Sequence, residues 1–149
     1  MAGWYYFYLY RDGSGNEHGL IASLADLSPC VWSSTATLTT AVSSWDGLGN
    51  SNIIQSISPA SNTCRTYTGC GFIDWYLPAM DELNLLFNQA IIINKTLGGA
   101  GLLHDNLSYW TSTDATAASA VMRGFGKLSQ NQGSYPKTTT LNVRAVRSF

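Results

Sequence analysis

The stretch FIDWYLPAMDELNLLF, residues 72–87, changes its hydrophobic period at Pro78. Before the proline, Phe72, Ile73, Trp75, Tyr76 and Leu77 form a short apolar and aromatic run, the composition of a strand buried on at least one face. Proline donates nothing to a sheet ladder, so the strand is expected to end there. After it, Leu83, Leu86, Phe87 and Ala90 follow the i, i+3, i+4, i+7 spacing of a helix with one apolar face. Asp81 and Glu82 fall in its first turn, where exposed backbone N–H groups favour negative charge. A strand that turns sharply into an amphipathic helix is predicted. The helix runs to about Asn94, and Gly98, Gly99 and Gly101 end it.

Working outward, residues 4–10 read as a strand with aromatic side chains on both faces. One face is expected to meet the core, and the other either more of the chain or a neighbouring subunit. Residues 11–17 read as a turn. They lack the spacing and terminal bidentate Glu of a calcium loop. Residues 18–22 return as a second strand. Residues 25–48, rich in Ser, Thr, Ala and Leu with no clear period, predict a long ordered loop anchored by Trp32 and Trp45. Ile53, Ile54 and Ile57 sit at helical spacing, with Asn50 or Ser51 as cap, so a short helix is expected there. Residues 58–71, with Pro59, Asn62, Gly69 and Gly71, read as loop. Residues 108–113, 120–125 and 141–149 read as strands, and 126–133 as a polar turn.

At 149 residues the chain fits one domain, 1–149, long enough to bury a core without staples. Apolar residues make up 45%, but only 11% are charged, against about 25% in an average protein. The polar surface must then come from Ser, Thr, Asn, Gln and Gly, which suits extracellular or virion proteins that bind by adaptable hydrogen bonds. No run approaches the roughly 18 apolar residues of a membrane span, so membrane insertion is not expected. The opening MAGWYYFYLY lacks the charged leader and apolar core of a signal peptide. That leaves another export route, a virion part made in the cytoplasm, or a boundary within a longer chain. Cys30, Cys64 and Cys70 show no CxxC spacing, which gives a zinc site little support. Cys64 and Cys70 could pair, either could bond Cys30, or all three could remain thiols.

Charge is unevenly spread. Residues 1–114 hold all nine acids and three bases, Arg11, Arg65 and Lys95. Residues 115–149 hold five bases, Arg123, Lys127, Lys137, Arg144 and Arg147, and no acid. A one-signed surface attracts the opposite charge. The competing reading pairs these bases with the upstream acids.

The words DWYLP (74–78), DELN (81–84), YWTST (109–113) and VRAVRSF (143–149) resemble, in order and spacing, the C-terminal domain family of bacterial collagen-like adhesins, the Lcl C-terminal domain family. HGLIA (18–22) also resembles the matching family segment. The likeness spans nearly the whole chain and is weakest over 25–48 and 126–140. It implies an α+β architecture and a C-type-lectin-like fold: antiparallel strands, two helices, long ordered loops, and first and last strands side by side. Residues 4–10 would then pair with 141–149. Such domains recur at the tips of adhesins and in phage tail proteins. The family's capping Ser is replaced here by Ala79, which removes about 1 kcal/mol of local capping.

Catalytic groups do not converge in the sequence. His18 and His104 lie in unrelated contexts, and HExxH, GxSxG and HxE with CxxC are all missing. Asp81 and Glu82 are adjacent on a helix and so point apart, unlike a glycosidase pair. Asp74, between Ile73 and Trp75, is expected to bond backbone or an arginine. An enzyme, a metal and a cofactor are therefore not expected. The EPN, QPD and WND words of calcium-dependent lectins are missing too, so sugar binding would be calcium-independent.

The resemblance places the ligand face in the segments before the last strand, and Arg123, Lys127, Gln130, Asn131, Tyr135 and Lys137 are the candidate ligand-binding residues there. Lys and Arg favour sulfate, phosphate or carboxylate groups, so the expected partner is a cell-surface glycan or other anionic surface polymer. Nucleic acid is disfavoured, because five bases without a known motif are thin support. The expected role is a receptor- or glycan-binding module at a phage tail-fibre tip or bacterial adhesin tip, at a virion or cell surface. It would form a homotrimer through Trp4, Tyr6 and Tyr8. The alternative is a structural virion or surface-assembly subunit whose loop face contacts its neighbours.

Overall fold

The computed structural model describes residues 4–98, 106–126 and 131–149. The elements are β1 (Trp4–Arg11), β2 (Glu17–Ser23), β3 (Leu27–Val31), α1 (Gly47–Ile54), α2 (Pro59–Arg65), α3 (Met80–Leu97), β4 (Ser108–Asp114), β5 (Ser119–Gly124), β6 (Gln132–Pro136), β7 (Thr140–Val143) and β8 (Val146–Ser148). Two sheets form, ordered β1-β2-β8 and β3-β7-β4-β5-β6. All pairings are antiparallel except β4 with β7. The architecture is mixed α+β.

The expected pairing of first and last strands is corrected. β2 lies between them: it takes β1 on one edge and β8 on the other, with Leu20 opposite Ser148 and Ala22 opposite Val146. The short turn at 12–16 makes β1–β2 a local hairpin, with the Asp12 carboxylate accepting the Ser14 and Asn16 N–H groups at 2.8 and 2.9 Å. That leaves the far edge of β2 for the incoming last strand. Among the described residues, β1 meets the C-terminus through side chains, with Tyr6 and Phe149 at 5.5 Å between ring centres.

The expected single strand over 141–149 is in fact two. β7 belongs to one sheet and β8 to the other, and the chain crosses at Arg144 and Ala145. Arg144 is buried at the crossing, 2.8 Å from Asp26 and donating to the Ser23 carbonyl at 2.8 Å. Burying a guanidinium requires such partners.

The 72–77 run is extended but is not a ladder strand. Only Tyr76 bridges, exchanging two hydrogen bonds with Val146 at 2.8 and 3.0 Å. Its alternation still counts. Trp75 and Leu77 enter one core cluster with Trp32, Ile54, Trp110 and Val143. Tyr76 enters the other, with Phe7, Leu83, Leu86, Tyr109 and Val146. Each buried indole N–H finds a carbonyl, Trp32 on Thr111 at 2.8 Å, Trp75 on Gly69 at 3.2 Å and Trp110 on Cys30 at 3.1 Å, so these large side chains bury area without orphaning a donor.

Helix α3 continues to Leu97 and ends on Gly98 in the left-handed conformation, φ 59°. Ala79 offers no side-chain cap, as expected. Glu82 still supplies the reciprocal half of a capping box, its Oε2 accepting the Ala79 N–H at 2.8 Å. Helix α2 corrects the reading of 58–71 as loop and brings the described helices to three. Ser58 caps it on the Ser61 N–H, and Pro59 sits in its first turn. Helix α1 starts earlier than expected, on Asp46 rather than Asn50 or Ser51. Those two lie inside it, buried, and tie it to Ser43 and Leu77.

Candidate functional site

Among the described residues, the basic candidates Arg123 and Lys137 do not form a rim. Lys137 is buried, and its ammonium lies 2.8 Å from Asp114 Oδ1, 2.7 Å from the Thr37 carbonyl and 4.5 Å from the Trp32 ring centre. It cannot reach a ligand, so its assignment to the binding face is corrected. Arg123 lies against the Phe87 ring at 4.1 Å, and burial lowers its pKa. Arg147 pairs with Asp74 and covers Phe72, as an arginine partner for Asp74 required. Tyr135 is half-exposed but pairs with Ala120, whereas Arg123 pairs with Gln132. Side chains alternate along a strand, so Tyr135 and Arg123 occupy opposite faces of the sheet. Asn131 is exposed. Lys127 and Gln130, like His104, lie outside the described residues. Lys137, Arg144 and Arg147 are matched internally by Asp114, Asp26 and Asp74, and of these three only Lys137 was a candidate ligand residue.

A different surface has the attributes of a binding site. Strand β1 carries a bulge: Tyr6 is opposite Ile21, but Tyr8 is opposite Leu20, so Phe7 is the extra residue. A bulge re-aims the side chains that follow it. Tyr6 stays on the face of Phe149, whereas Tyr8 and Tyr10 turn to the Leu20 face, beside a cleft of about 360 Å³. Their rings sit 5.8 Å apart with a 33° tilt, and His18 stacks on Tyr10 at 5.2 Å. This splits the expected trimer contact. Trp4 packs partly into the core, and Tyr6 and Tyr8 face opposite ways.

Trp45 forms another wall of the cleft and is 74% exposed. It was expected to anchor its loop, but polar residues hold the loop instead. The Ser43 hydroxyl accepts the N–H groups of Trp45 and Asp46 at 3.3 and 2.9 Å. The Ser43 carbonyl accepts Asn50 Nδ2 at 2.7 Å and Thr113 Oγ1 at 2.9 Å. The Asp81 N–H donates to the Ser44 carbonyl at 2.7 Å. An indole exposed on a segment so firmly held is a pre-organised contact surface.

Leu20, Leu48 and Leu85 supply apolar lining, and Asp46, Asp81 and Glu82 supply carboxylates. Asp46 accepts the Gly49 N–H at 2.8 Å, and Asp81 accepts the Ser44 hydroxyl at 2.6 Å. Glu82 is buried and accepts from Tyr76 Oη and the Ala79 N–H, both at 2.8 Å. Burial pushes its pKa up to about 7, and the nearby Asp46 charge adds to the rise. The Ala79 N–H and Tyr76 hydroxyl act in the opposite direction. Aromatic walls with a few fixed polar groups are the usual make-up of a small-ligand site. The sequence signal for it was weak: Trp45 stood among small polar residues, and the three acids are far from Tyr8 and Tyr10 in the chain.

No family model matches the chain, and no curated relative matches it. Among solved structures it is similar to a crystal structure of a fimbrial protein from Bacteroides ovatus, with a TM-score of 0.67 and 18% identity. The alignment covers 89% of this chain and 36% of that one, so the chain spans about a third of the length of its neighbour. At that identity the likeness is one of fold.

Proposed function

We propose that this chain is a calcium-independent carbohydrate-binding module of an extracellular appendage, an adhesin or a tail-fibre tip, that attaches its carrier to a glycan-bearing surface. We also propose that it belongs with the Lcl C-terminal domain family and its C-type-lectin-like fold, on the strength of DWYLP, DELN, YWTST and VRAVRSF. The observation that carries the functional reading is Trp45, 74% exposed on a firmly latched loop beside Tyr8 and Tyr10. Flat rings stack on the C–H faces of sugar rings, and carboxylates accept from sugar hydroxyls. The fimbrial neighbour adds support from the setting in which a similar fold occurs. The test is a glycan array probed with the native chain and with Trp45→Ala. Sugar binding that disappears in the variant supports the reading, and binding that survives unchanged rejects it.

The second reading is a subunit of a surface assembly, a homotrimer among its forms. β1 is an edge strand whose other face exposes Tyr6, Leu9 and Phe149. Unpaired, apolar edges invite a second chain. Light scattering on the native chain and on Tyr6→Ser/Leu9→Ser separates the two. A defined oligomer that the double variant dissolves favours assembly, and a monomer at all concentrations removes it.

A further inference from the structure

We infer that the cleft between Trp45 and the Tyr8–Tyr10 pair selects an amine-bearing sugar, as in polymers of glucosamine, over neutral and anionic glycans. The inference rests on the carbohydrate reading and narrows it to one ligand chemistry. Three carboxylates line the cleft, Asp46, Asp81 and Glu82, and no Lys, Arg or His does so among the described residues. On the neighbouring hairpin, His18 bonds Asp12 at 3.1 Å and Arg11 pairs with Glu17 at 3.7 Å. Glu82 uses both oxygens on protein donors and, with its pKa pushed up to about 7 by burial, is mainly protonated at about pH 6, so Asp46 and Asp81 supply the negative charge. Asp46 and Asp81 each use one, on Gly49 and Ser44, and keep the other for a ligand.

An ammonium group meets two kinds of attraction in this arrangement. Carboxylates give charge-assisted hydrogen bonds, roughly twice as strong as neutral ones. Ring faces of Tyr and Trp attract a cation through their quadrupole. The rest of the sugar ring is apolar on its faces and fits against Trp45, Leu48 and Leu85. A sulfate or carboxylate on the ligand would face like charge with no base to offset it. At about 360 Å³ the cleft lies at the small end of ligand sites, which run from about 300 to 1,000 Å³, as suits the end of a chain rather than a long polymer groove.

The test is a tryptophan-fluorescence titration at about pH 6, where sugar amines carry a proton. The probes are a β-1,4-linked glucosamine oligomer and its fully N-acetylated counterpart of equal length. The amine form is expected to bind at least about tenfold more tightly. Added salt should weaken that form alone, and Asp81→Asn should abolish the preference while leaving the melting temperature in place. Equal binding of the two oligomers, or a preference unchanged in Asp81→Asn, overturns the amine inference and leaves the carbohydrate reading standing. Binding of neither oligomer, together with a blank glycan array, overturns both.

Discussion

The Lys137 ammonium lies 2.8 Å from Asp114 Oδ1, and the two side chains are only 2% and 0% exposed. The same carboxylate accepts the backbone N–H and hydroxyl of Thr39, both at 2.8 Å, while Lys137 reaches the Thr37 carbonyl. One buried pair thus holds the loop that leads to Trp45. Removing one partner leaves a buried charge unmatched, which costs about 3–5 kcal/mol. Lys137→Met should therefore lower the unfolding free energy by that much, with a smaller loss in Lys137→Met/Asp114→Asn. Equilibrium denaturation checks both.

Glu82 gives the protein a pH-dependent stability of unusual sign. Its pKa rises from 4.5 to about 7 on folding, so between those values the folded state holds more protons than the unfolded one. Stability therefore falls as pH rises through that window, by roughly 3 kcal/mol at about 1.4 per unit. Glu82→Gln cannot titrate and should flatten this part of the profile. Thermal melts of both proteins from pH 4.5 to 8 decide it, and identical slopes would refute the assignment.

Trp45→Ala separates binding from folding. The side chain is 74% exposed, so stability should change by no more than about 0.5 kcal/mol. Glycan affinity should drop by at least about tenfold, the scale of an aromatic contact at the centre of a site. Calorimetry and a melt on the same sample give both numbers.

Gly47 is required where α1 meets the start of α3. A Cβ there would overlap Glu82 Oε2 and lie 2.6 Å from the Ala79 nitrogen and 2.9 Å from the Leu77 carbonyl. Two of these are backbone atoms that cannot swing away, so Gly47→Ala should cost about 1–3 kcal/mol as an overpacked site. Gly13, with nothing within 4 Å of its Cβ position, is the control, and Gly13→Ala should be close to neutral. Denaturation midpoints rank the pair.

The three cysteines are thiols of graded access: Cys70 exposed, Cys30 intermediate and Cys64 buried. Burial raises the pKa of Cys30 and of Cys64. A thiol-reactive dye on the native protein should give one fast phase, lost in Cys70→Ser, with Cys64 labelled only on unfolding. A fast phase that persists in Cys70→Ser would contradict this grading.

Local chemistry made much of the framework readable. The switch of period at Pro78, the first-turn acids and Gly98 announced α3; β1 and β4 followed from their aromatic and β-branched runs, β5 from its alternation and β2 from its place after the turn. Helix α2 was legible in Ser58–Pro59, but Asn62 and the nearby glycines outweighed that start signal. The strand over 141–149 read as continuous because nothing local breaks it. Its division depends on Arg144 meeting Asp26, a residue far away in sequence.

The sequence by itself determined β1, β2, β4, β5 and α3, because period, caps and turn residues act within a few positions of one another; α2, β3 and β6 fell in segments that read as loop or turn. It also set the composition of the surface and the excess of cations after residue 114. Only the tertiary structure decided where those cations went, since a charge buried on folding must find its opposite wherever the chain brings one, and Asp26, Asp74 and Asp114 come from three distant segments. It likewise turned Tyr8 and Tyr10 toward Trp45, because one bulged residue in β1 changes the facing of every side chain beyond it.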